Sequence, residues 1–341
     1  MAAEGVQRLG AAQAEALLAD LPLPLLPATL HPGYVEADAR RAPGLEPAYL
    51  AYREGGATWL HATHLGQVAG TSWRDASSPY GYGGPLSSSD DPAFLRAAWQ
   101  AYGEWMRANS VVVEYVRFHP VLRNERHYGG RVEDNREVVM VDLAGDFAAG
   151  YAPRLRQVLK KAERAPIAYE ERPLDQAVQR FGAYYRAAMQ AIAADTFYLF
   201  EDAYFEALAA TGRARLGLCA PADRPDQWLA AALLLDGRGV REYHLAGSTP
   251  EGRQYGAASF VLHHAALAAR AQGLRCLYLG GGSDRSPDNK LLFFKGSFAA
   301  GRGRYRTGWA VFDEAGYAEL KERFAADRAA YPERPIFYRK V

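Results

Sequence analysis

The chain has 341 residues, of which 40 are basic and 39 are acidic, so its formal net charge is +1. This balance excludes a global field that draws the protein to nucleic acid or to an anionic membrane, and any polyanionic partner must therefore meet a local basic patch. The length favours two domains, and a hydrophobic fraction of 49% is enough to fill both cores.

The cysteines and the N-terminal segment restrict the class of protein further. Cys219 and Cys276 lie in apolar runs without metal-ligand or redox spacing, which predicts buried thiols. Residues 21–27 are rich in proline, so the N-terminal segment lacks the uninterrupted apolar core of a signal peptide. No run of eighteen apolar residues is present, and we expect no membrane span.

The first half of the chain predicts a helix followed by a sheet. Apolar spacing predicts a helix over residues 11–18, and the prolines after it force an extended stretch. Asp91 can cap a second helix that Pro92 starts, and residues 94–106 give that helix a broad apolar face. Strands are predicted over residues 48–53, 58–64, 67–73, 111–118 and 138–143.

The second half begins after a Gly/Ala-rich link at residues 145–150. Its first helical segment turns apolar residues inward, and its basic residues form either a solvated face or a local patch. These basic residues are Arg154, Arg156, Lys160, Lys161 and Arg164. Further helices are predicted over residues 174–192, 204–208 and 316–330, and strands over residues 215–220, 228–236, 240–246, 274–279 and 305–312.

Residues 240–298 hold the pattern that matters most for function. An alternating run at residues 240–245 predicts a half-buried strand, a loop follows, and apolar spacing predicts a helix that ends near Gly273. Free N–H groups and the positive end of the helix dipole favour a phosphate at such a turn. The alternative is an ordinary strand-to-helix turn with Gly256 in the first helical turn.

Several short motifs occur in the order found in a known superfamily. Arg253, Gly256 and Ala258 match the pattern, arginine or glutamine, x, x, glycine, x, glycine or alanine, with which GNAT acyltransferases hold the pyrophosphate of a donor. The other motifs are YGYGGP from Tyr80, RFHPVLRN from Arg117, KKAER from Lys160, ADTFYLF from Ala194, YHLAGS from Tyr243, LGGG from Leu279 and FFKGSF from Phe293. With these motifs, the chain resembles the FemABX-type aminoacyl transferases and their BioF2-like GNAT relatives.

The resemblance implies an α/β (α+β) fold of two tandem GNAT-like domains. Each would be a mixed, mostly antiparallel sheet flanked by helices. Residues 1–147 would form a degenerate domain on the acceptor side, and residues 148–341 would carry the donor site. The tail, from about residue 313, would return to the first domain.

The same resemblance implies an enzyme that forms an amide bond. The first expectation is an aminoacyltransferase that moves an aminoacyl group from aminoacyl-tRNA to the amine of a peptide or peptidoglycan precursor, bound in a cleft between the halves. The alternatives are an acyl-CoA-dependent N-acyltransferase and a GNAT-like module that only binds a peptide, a glycan or tRNA. We expect no tightly bound cofactor, no metal, a cytoplasmic location, and a monomer or homodimer.

Lys295 is the first catalytic candidate. It matches the lysine of the family's Phe-Lys motif and would place a positive charge near the carbonyl oxygen or the donor's terminal phosphate. The alternative is an ordinary lysine on a helix surface. Phe294 is either part of the core or a wall against the donor, and the donor's phosphates would lie at Arg253, Gly256, Ala257 and Ala258.

The acceptor side and the base are less determined. The resemblance places Tyr80, Tyr82, Gly84, Tyr198 and Tyr243 near the acceptor, although buried tyrosines often serve only a core network. Some relatives carry an acidic residue after the Gly-Pro of the YGYGGP motif, whereas here three serines precede Asp90. The candidate bases are therefore Asp90, Glu242 and His244, with proton loss assisted by the substrate as a rival.

Other residues are assigned structural roles or weaken a finer assignment. His119, His263 and His264 have no metal-ligand partners at useful spacing and are predicted to be structural. Many relatives have a basic residue where this chain has Ala191, which weakens the case for a UDP-linked acceptor. Three arginines alternate along a late strand, where they either replace this basic residue or form a solvated edge: Arg302, Arg304 and Arg306.

Overall fold

A computed structural model describes residues 5–284, 286, 288–299 and 301–339. The chain divides into two compact units. Unit 1 consists of residues 1–23, 29–135 and 305–341, and unit 2 consists of residues 24–28 and 136–304. The division at residues 147 and 148 stays a prediction about independently folding domains.

The described strands and helices follow one another along the whole chain. The strands are β1 (Gln7–Leu9), β2 (Leu45–Glu54), β3 (Ala57–Gln67), β4 (Arg74–Ser77), β5 (Leu86–Ser87), β6 (Val111–Arg117), β7 (Arg131–Asp142), β8 (Ile167–Pro173), β9 (Ala214–Pro221), β10 (Ala230–Asp236), β11 (Val240–Ser248), β12 (Cys276–Gly281) and β13 (Arg302–Val311). The helices are α1 (Ala11–Asp20), α2 (Pro32–Ala39), α3 (Pro92–Ala108), α4 (Pro153–Ala162), α5 (Val178–Ala191), α6 (Asp202–Ala210), α7 (Pro250–Tyr255), α8 (Ala257–Ala271), α9 (Lys290–Gly296), α10 (Glu314–Arg323) and α11 (Ala325–Ala330).

Unit 1 contains a mixed sheet in the order β1, β2, β3, β4, β6 and β13. Adjacent strands of this sheet are antiparallel, except that β4 and β6 are parallel and are joined through α3. The Asp91 side chain accepts the N–H of Ala93 at 3.1 Å, and Pro92 occupies the first helical position, as the sequence predicts. The apolar face of α3, including Tyr102 and Met106, is buried against the sheet.

The C-terminal part of the chain contributes to a second core of unit 1. Tyr317 and Leu320 of α10 are buried together with Ile336 and Phe337, and they pack against apolar residues that include Val112 of β6. The Arg339 guanidinium also forms an ion pair with the buried carboxylate of Asp75 in β4. Polar and apolar contacts therefore both attach this segment to the sheet of unit 1.

Unit 2 contains a mixed sheet in the order β7, β12, β11, β10, β9 and β8. Adjacent strands of this sheet are antiparallel, except that β11 and β12 are parallel and are joined through α7 and α8. Helix α8 lies between two cores. Phe260 and Val261 pack in one core with residues of β9 and β10, and Leu262 and Ala266 pack in the other with residues of β7 and β12.

The structure corrects several predicted boundaries. The strand predicted over residues 67–73 is wrong, because Val68 to Trp73 form a turn closed by the N–H of Val68 bonding to the carbonyl of Trp73 at 2.9 Å, and β4 begins only at Arg74. The helix predicted over residues 174–192 consists of a short 3-10 turn and α5, and Ile192 is 63% exposed. The predicted last helix is divided into α10 and α11.

The predicted fold class is confirmed. Each unit has a mixed, mostly antiparallel sheet flanked by helices, and each contains one parallel pair joined by a helical crossover. Among the described residues, no helix is both long enough and apolar enough to cross a membrane.

Candidate active site

The parallel strands β11 and β12 pair over only part of their length. Within the described residues, the pairing joins Val240–Glu242 to Cys276–Tyr278, whereas β11 continues to Ser248 and β12 to Gly281. The two strands therefore diverge after Glu242 and Tyr278. Beyond these residues, the described parts of the two strands are not paired with each other.

Helices α7 and α8 meet at Gly256, a few residues after the end of β11. The Thr249 side chain caps α7 by accepting the N–H of Gly252 at 3.0 Å, so residues 250–255 are helical and the loop predicted there is wrong. Gly256 has φ of 72° and is at once the last cap of α7 and the first cap of α8. The first N–H groups of α8, which include Ala257 and Ala258, have no partners inside their own helix.

Arg253 precedes the turn at Gly256, and its side chain is bonded to the protein backbone. It lies in the last turn of α7, is exposed, and donates to the carbonyl of Ser248 at 3.2 Å. The side chain is thus attached to the end of β11, next in the chain to the predicted phosphate turn. Movement of this exposed guanidinium toward an anion needs the loss of one hydrogen bond only.

A basic helix packs against the junction of α7 and α8. The Lys161 amine donates to the carbonyl of Gln254 at 3.2 Å, and a side chain at Gly256 would meet Val158 of α4 at 2.4 Å. The five basic residues of this segment are all exposed, and no acidic partner is found for them among the described residues. A local positive patch therefore lies beside the turn.

Lys295 is buried, so the alternative of an ordinary surface lysine does not describe it. It lies in the last turn of α9 with 8% of its surface exposed. Its Nζ donates to the carbonyl of Gly281 at 2.8 Å and lies 5.6 Å from the centre of the Tyr243 ring. Because Gly281 ends β12 and Tyr243 lies in the part of β11 that pairs with β10 but not with β12, the amine is placed at the opening between β11 and β12.

Burial changes the acidity of this amine. Burial, and to a smaller extent the nearby Arg136 guanidinium, lower the pKa of Lys295 to about 7. Both effects disfavour the charged form. The amine can therefore gain and lose a proton near neutral pH, which an ordinary lysine cannot do.

The three glycines of the LGGG motif shape the strand end that holds Lys295. Gly280 has φ of 74° at an irregularity in the pairing of β12 with β7. A side chain at Gly281 would lie 2.7 Å from the carbonyl oxygen of Glu137, and one at Gly282 would lie 2.4 Å from the amide of Asn289. This backbone path requires glycine because no side chain fits beside it.

Two residues that the sequence analysis missed fix the same strand end. Arg136 donates from Nη1 to the carbonyl of Gly282 at 3.0 Å. The buried Asn289 caps α9 by accepting the N–H of Leu292 at 2.9 Å and donates to the Ser283 hydroxyl at 2.8 Å. The Asn289 cap has a sequence signal, since asparagine precedes an apolar run, whereas the contact of Arg136 joins segments far apart in the chain.

The other residues predicted for unit 2 are placed as follows. Phe294 is half-buried and packs against the unit 2 core, with its ring 5.6 Å from that of Phe298. Burial raises the pKa of the Tyr243 phenol, which therefore stays protonated at neutral pH. Tyr198 is 37% exposed in a short 3-10 turn, so its ring is accessible to a ligand.

The YGYGGP loop of unit 1 is fixed by the RFHPVLRN motif. The N–H of Gly83 bonds to the carbonyl of Arg117 at 2.7 Å, and the Asn124 amide donates to the carbonyl of Gly83 at 2.9 Å. Gly84 has φ of 94°, and a side chain there would lie 2.6 Å from the ring of Phe118. The two motifs form one structural element.

The tyrosines of this loop are held in different ways. The N–H of Tyr80 bonds to the buried carboxylate of Asp38 at 2.8 Å, and the Tyr80 carbonyl accepts the Tyr34 hydroxyl at 2.5 Å. The Tyr82 ring packs edge-on against His119 at 4.8 Å. Hydrogen bonds therefore position the backbone of Tyr80, and ring packing positions the side chain of Tyr82.

The three candidate bases differ in chemical suitability. Asp90 accepts from His127 and Arg126 at 2.9 Å each, and these hydrogen bonds lower the pKa of its carboxyl group. A carboxylate held in this way is a weak base. The ring of His244 bonds to the buried Tyr204 hydroxyl at 2.7 Å, and Glu242 is buried in the paired part of β11.

Arg241 is the largest buried charge that the sequence analysis did not single out. It is fully buried in β11 and makes four hydrogen bonds of 2.7–3.0 Å to the carboxylates of Asp236 and of Glu171 in β8, and it donates to the carbonyl of Ala265 at 3.0 Å. The alternation predicted for β11 is wrong at its start, since consecutive residues there are buried on both faces. The network fixes the base of β11 to the sheet and to α8.

The remaining histidines and cysteines occupy structural positions. Burial raises the pKa of both thiols to about 12, although Cys276 is only partly buried, contrary to the prediction. His263 contacts the Tyr151 hydroxyl at 3.3 Å, and His264 stacks on Tyr169. In the described part of the chain, no three His, Cys, Asp or Glu side chains are grouped closely enough to hold a metal ion.

Part of the chain matches a known family model. The sequence model of the family described as "Acetyltransferase (GNAT) domain" matches residues 149–286. The matched range contains α4, the divergent strands β11 and β12, and the turn at Gly256. A search of the curated proteins finds no match to the sequence.

Several solved structures resemble this one at low sequence identity. FemX is 12% identical, with 93% of this chain and 100% of that chain covered and a TM-score of 0.68. The C-terminal domain of a putative lysylphosphatidylglycerol synthetase from Agrobacterium fabrum is 17% identical, with 94% and 97% covered and a TM-score of 0.59. L-PGS from Bacillus licheniformis is 13% identical, with 89% and 92% covered and a TM-score of 0.55. The predicted resemblance to FemABX-like GNAT proteins is confirmed at the level of the fold.

Proposed function

We propose that this chain, which matches an acetyltransferase (GNAT) domain model at residues 149–286 and has a FemX-like fold, is an acyltransferase that forms an amide bond with Lys295 as its proton carrier. The donor that we propose first is aminoacyl-tRNA, and the acceptor is the amine of a peptide or peptidoglycan precursor. One observation carries this proposal: a buried lysine with a pKa of about 7 lies where two parallel strands diverge.

The proposed step needs a group that first accepts and then donates a proton. The neutral amine of the acceptor attacks the acyl carbon, so a C–N bond forms and the carbonyl oxygen becomes an oxyanion. The neutral Lys295 amine accepts the proton that the attacking nitrogen loses. The C–O bond of the ester then breaks, and the Lys295 ammonium returns the proton to the leaving alkoxide.

The electrostatics of the site support this sequence of events. A group whose pKa lies near the working pH transfers protons efficiently in both directions. The Tyr243 phenol remains protonated and can donate a hydrogen bond in the same opening. Asp90 and His244 are already bonded to other side chains, so Lys295 replaces them as our first candidate for the base.

The basic segment that starts at α4 supports tRNA as the donor. Its five exposed basic residues lie beside the turn at Gly256, and several phosphates of a polyanion can be neutralised there. The name of the lysylphosphatidylglycerol synthetases describes the joining of an amino acid to a lipid, so aminoacyl products are associated with this fold. The remaining predicted acceptor residues, Tyr80, Tyr82, Gly84 and Tyr198, stay part of the proposal.

A second candidate is an N-acyltransferase that uses acyl-CoA. The observation that favours it is the matched family, which is described as an acetyltransferase domain. In this case the same turn and Arg253 hold the pyrophosphate of the donor, and a C–S bond breaks in place of the C–O bond. The basic segment would then contribute little to donor binding.

Binding of alanyl-tRNA and of acetyl-CoA to the purified full chain, each at 50 and 200 mM salt, tests the choice of donor. For the tRNA donor we expect micromolar affinity that falls steeply with salt, by roughly 0.7 to 0.9 in log–log slope for each phosphate neutralised. Tight binding of acetyl-CoA without tRNA binding would select the second candidate. If neither bound, the proposed function would be wrong.

A charge reversal in the basic segment tests whether this segment itself binds tRNA. Lys160→Glu should weaken alanyl-tRNA binding several-fold and reduce the salt dependence, because one phosphate contact is lost and one repulsion is added. Arg270→Glu is the matched control, since Arg270 is also exposed but lies at the opposite end of α8. Equal effects of the two variants would contradict a binding role for the segment.

A further inference from the structure

We propose that Arg136 is a positioning residue for the transfer reaction: it fixes the Gly281–Gly282 strand end that receives the Lys295 amine and places a second positive charge beside that amine. This inference rests on the proposed function of Lys295. It adds a residue that lies outside every motif recognised in the sequence and outside the range matched by the acetyltransferase family.

The geometry that supports this role consists of two adjacent carbonyl groups. Lys295 donates to the carbonyl of Gly281 at 2.8 Å, and Arg136 donates to the carbonyl of Gly282 at 3.0 Å. The two cations are therefore bound to consecutive residues of one backbone segment. A displacement of the Gly281–Gly282 segment as a whole therefore alters both contacts.

This segment needs an external support. It contains three consecutive glycines, whose backbone has more freedom than that of other residues, and the pairing of β12 with β7 is irregular at Gly280. The guanidinium of Arg136 extends from β7 and closes the end of β12 from the neighbouring strand. It thus restricts the segment where strand pairing does not.

The charge of Arg136 has a separate effect on Lys295. Two positive charges in a poorly solvated region repel each other, so the neutral form of the amine is favoured. The Tyr243 ring lies beside the Lys295 amine. The exposed Asp284 carboxylate lies next to Arg136, and Arg302, which lies beside Gly296, is paired with Glu137 at 3.0 Å. Arg136 is the charged group that acts most directly on the amine.

The pH dependence of kcat/KM for Arg136→Gln and Arg136→Lys tests the proposal. Loss of the charge should move the acidic limb to higher pH by roughly 0.5 units or more, since Lys295 then keeps its proton to a higher pH. Arg136→Lys should retain most of the wild-type profile, because it keeps the charge. Arg131→Gln, on the same strand but in unit 1, is the matched control and should leave the profile unchanged.

A second measurement does not depend on turnover. The pH dependence of Lys295 acetylation by trace acetic anhydride, followed by mass spectrometry, reports the protonation of this amine in each variant. An upward shift in Arg136→Gln, with none in Arg131→Gln, is the expected result. Identical labelling curves in wild type and Arg136→Gln would overturn the role of Arg136.

The two proposals fail in distinguishable ways. If Lys295→Ala keeps wild-type turnover, the proposed function of Lys295 is wrong, whatever the Arg136 variants do. If Lys295→Ala is inactive but the pH profile of Arg136→Gln matches that of wild type, the inference about Arg136 alone is wrong. A purely structural role would lower stability and activity at every pH without a shift of the limb.

Discussion

Burial of Lys295 lowers the free energy of unfolding of the protein, and yet a lysine occupies this position. A tenfold change in proton affinity corresponds to about 1.4 kcal/mol, so a lysine whose pKa is lowered to about 7 destabilises the folded state at neutral pH. The hydrogen bond to Gly281 offsets part of this cost. A residue kept only for stability would be apolar here, as its buried neighbour Leu292 is.

Replacement of this lysine by methionine should therefore stabilise the protein. We expect Lys295→Met to raise the free energy of unfolding at pH 6.5 by roughly 2 kcal/mol, after allowance for the lost hydrogen bond. Between pH 7 and 10 only the unfolded wild-type chain binds this proton, so the wild type gains stability with pH and the difference should shrink toward pH 9. Urea unfolding at both pH values measures this difference, and a constant difference would contradict the lowered pKa.

At the scale of residues, sequence patterns predicted which residues belong to the candidate site better than they predicted the burial and contacts of those residues. Lys295 and Gly256 were found because each belongs to a short motif. The burial of Lys295 could not be predicted, because it depends on how α9 packs beside β11 and β12. The contact of Arg136 with Gly282 could not be predicted either, because it joins residues about 150 positions apart. Asn289 could have been found from its position before the apolar run of α9.

At the scale of elements, the junction of α7 and α8 depends on one glycine. Gly256 combines φ of 72° with a close approach to Val158 at 2.4 Å, measured from the position that a side chain would take. The first property requires a residue without backbone strain in the left-handed region, and the second requires one without a side chain. Contact with α4 thereby fixes the turn beside the basic segment.

An alanine at this position should be more costly than at the open glycine just beyond the other end of α8. We expect Gly256→Ala to lower the free energy of unfolding by about 3 kcal/mol, from about 1–2 of backbone strain plus overpacking against Val158. Gly273→Ala, with φ of 80° and no atom within 4 Å, should cost only the backbone part. Urea unfolding of both variants provides the comparison, and equal losses would contradict the close approach.

Element boundaries were predicted wrongly where several short local signals act together. The sequence from Thr249 to Tyr255 contains a cap, a proline at the first helical position and a glycine stop, and these signals together favour the observed α7 over a loop. The apolar run near Val68 predicted a strand too early, since the turn that precedes β4 is closed by its own hydrogen bonds. Long periodic helices such as α3 were predicted well.

At the scale of the whole molecule, each unit has a parallel pair of strands joined by a helical crossover, but the extent of strand pairing differs between the two units. In unit 2 the parallel strands diverge, whereas in unit 1 the N–H of Gly83 bonds to Arg117 and continues the parallel pairing beyond β4. The opening present in unit 2 is therefore filled in unit 1 by the YGYGGP loop. This difference supports the proposal that unit 2 alone holds the donor.

The C-terminal segment should stabilise unit 1. We expect Phe337→Ala to cost about 3 kcal/mol or more, because Phe337 is 3% exposed among Val112 and other apolar side chains. Tyr331→Ala, at 37% exposure, should cost less than about 0.5 kcal/mol. Hydrogen exchange of the β6 amides, compared between the two variants, measures the effect, and equal protection would contradict the role of this segment.

The mixed sheets with helices on their faces were predicted from the order of motifs, and the structure confirms them. The discontinuous composition of unit 1, which joins residues 29–135 with residues 305–341, has no local signal in the sequence. Attachment of the last segment depends on long-range contacts such as Arg339 with Asp75. Such pairings follow from packing and not from periodicity.

The rate of amide formation in a single turnover, with Lys295→Arg compared with wild type at pH 7.5, tests the central claim most directly. The donor, alanyl-tRNA or acetyl-CoA, is the one selected by the binding measurements, and its affinity is measured in parallel. Arginine keeps a positive charge but cannot release its proton, so we expect a loss of at least roughly 100-fold with little change in donor affinity. A wild-type rate in Lys295→Arg would show that a fixed charge suffices and would contradict proton transfer by Lys295.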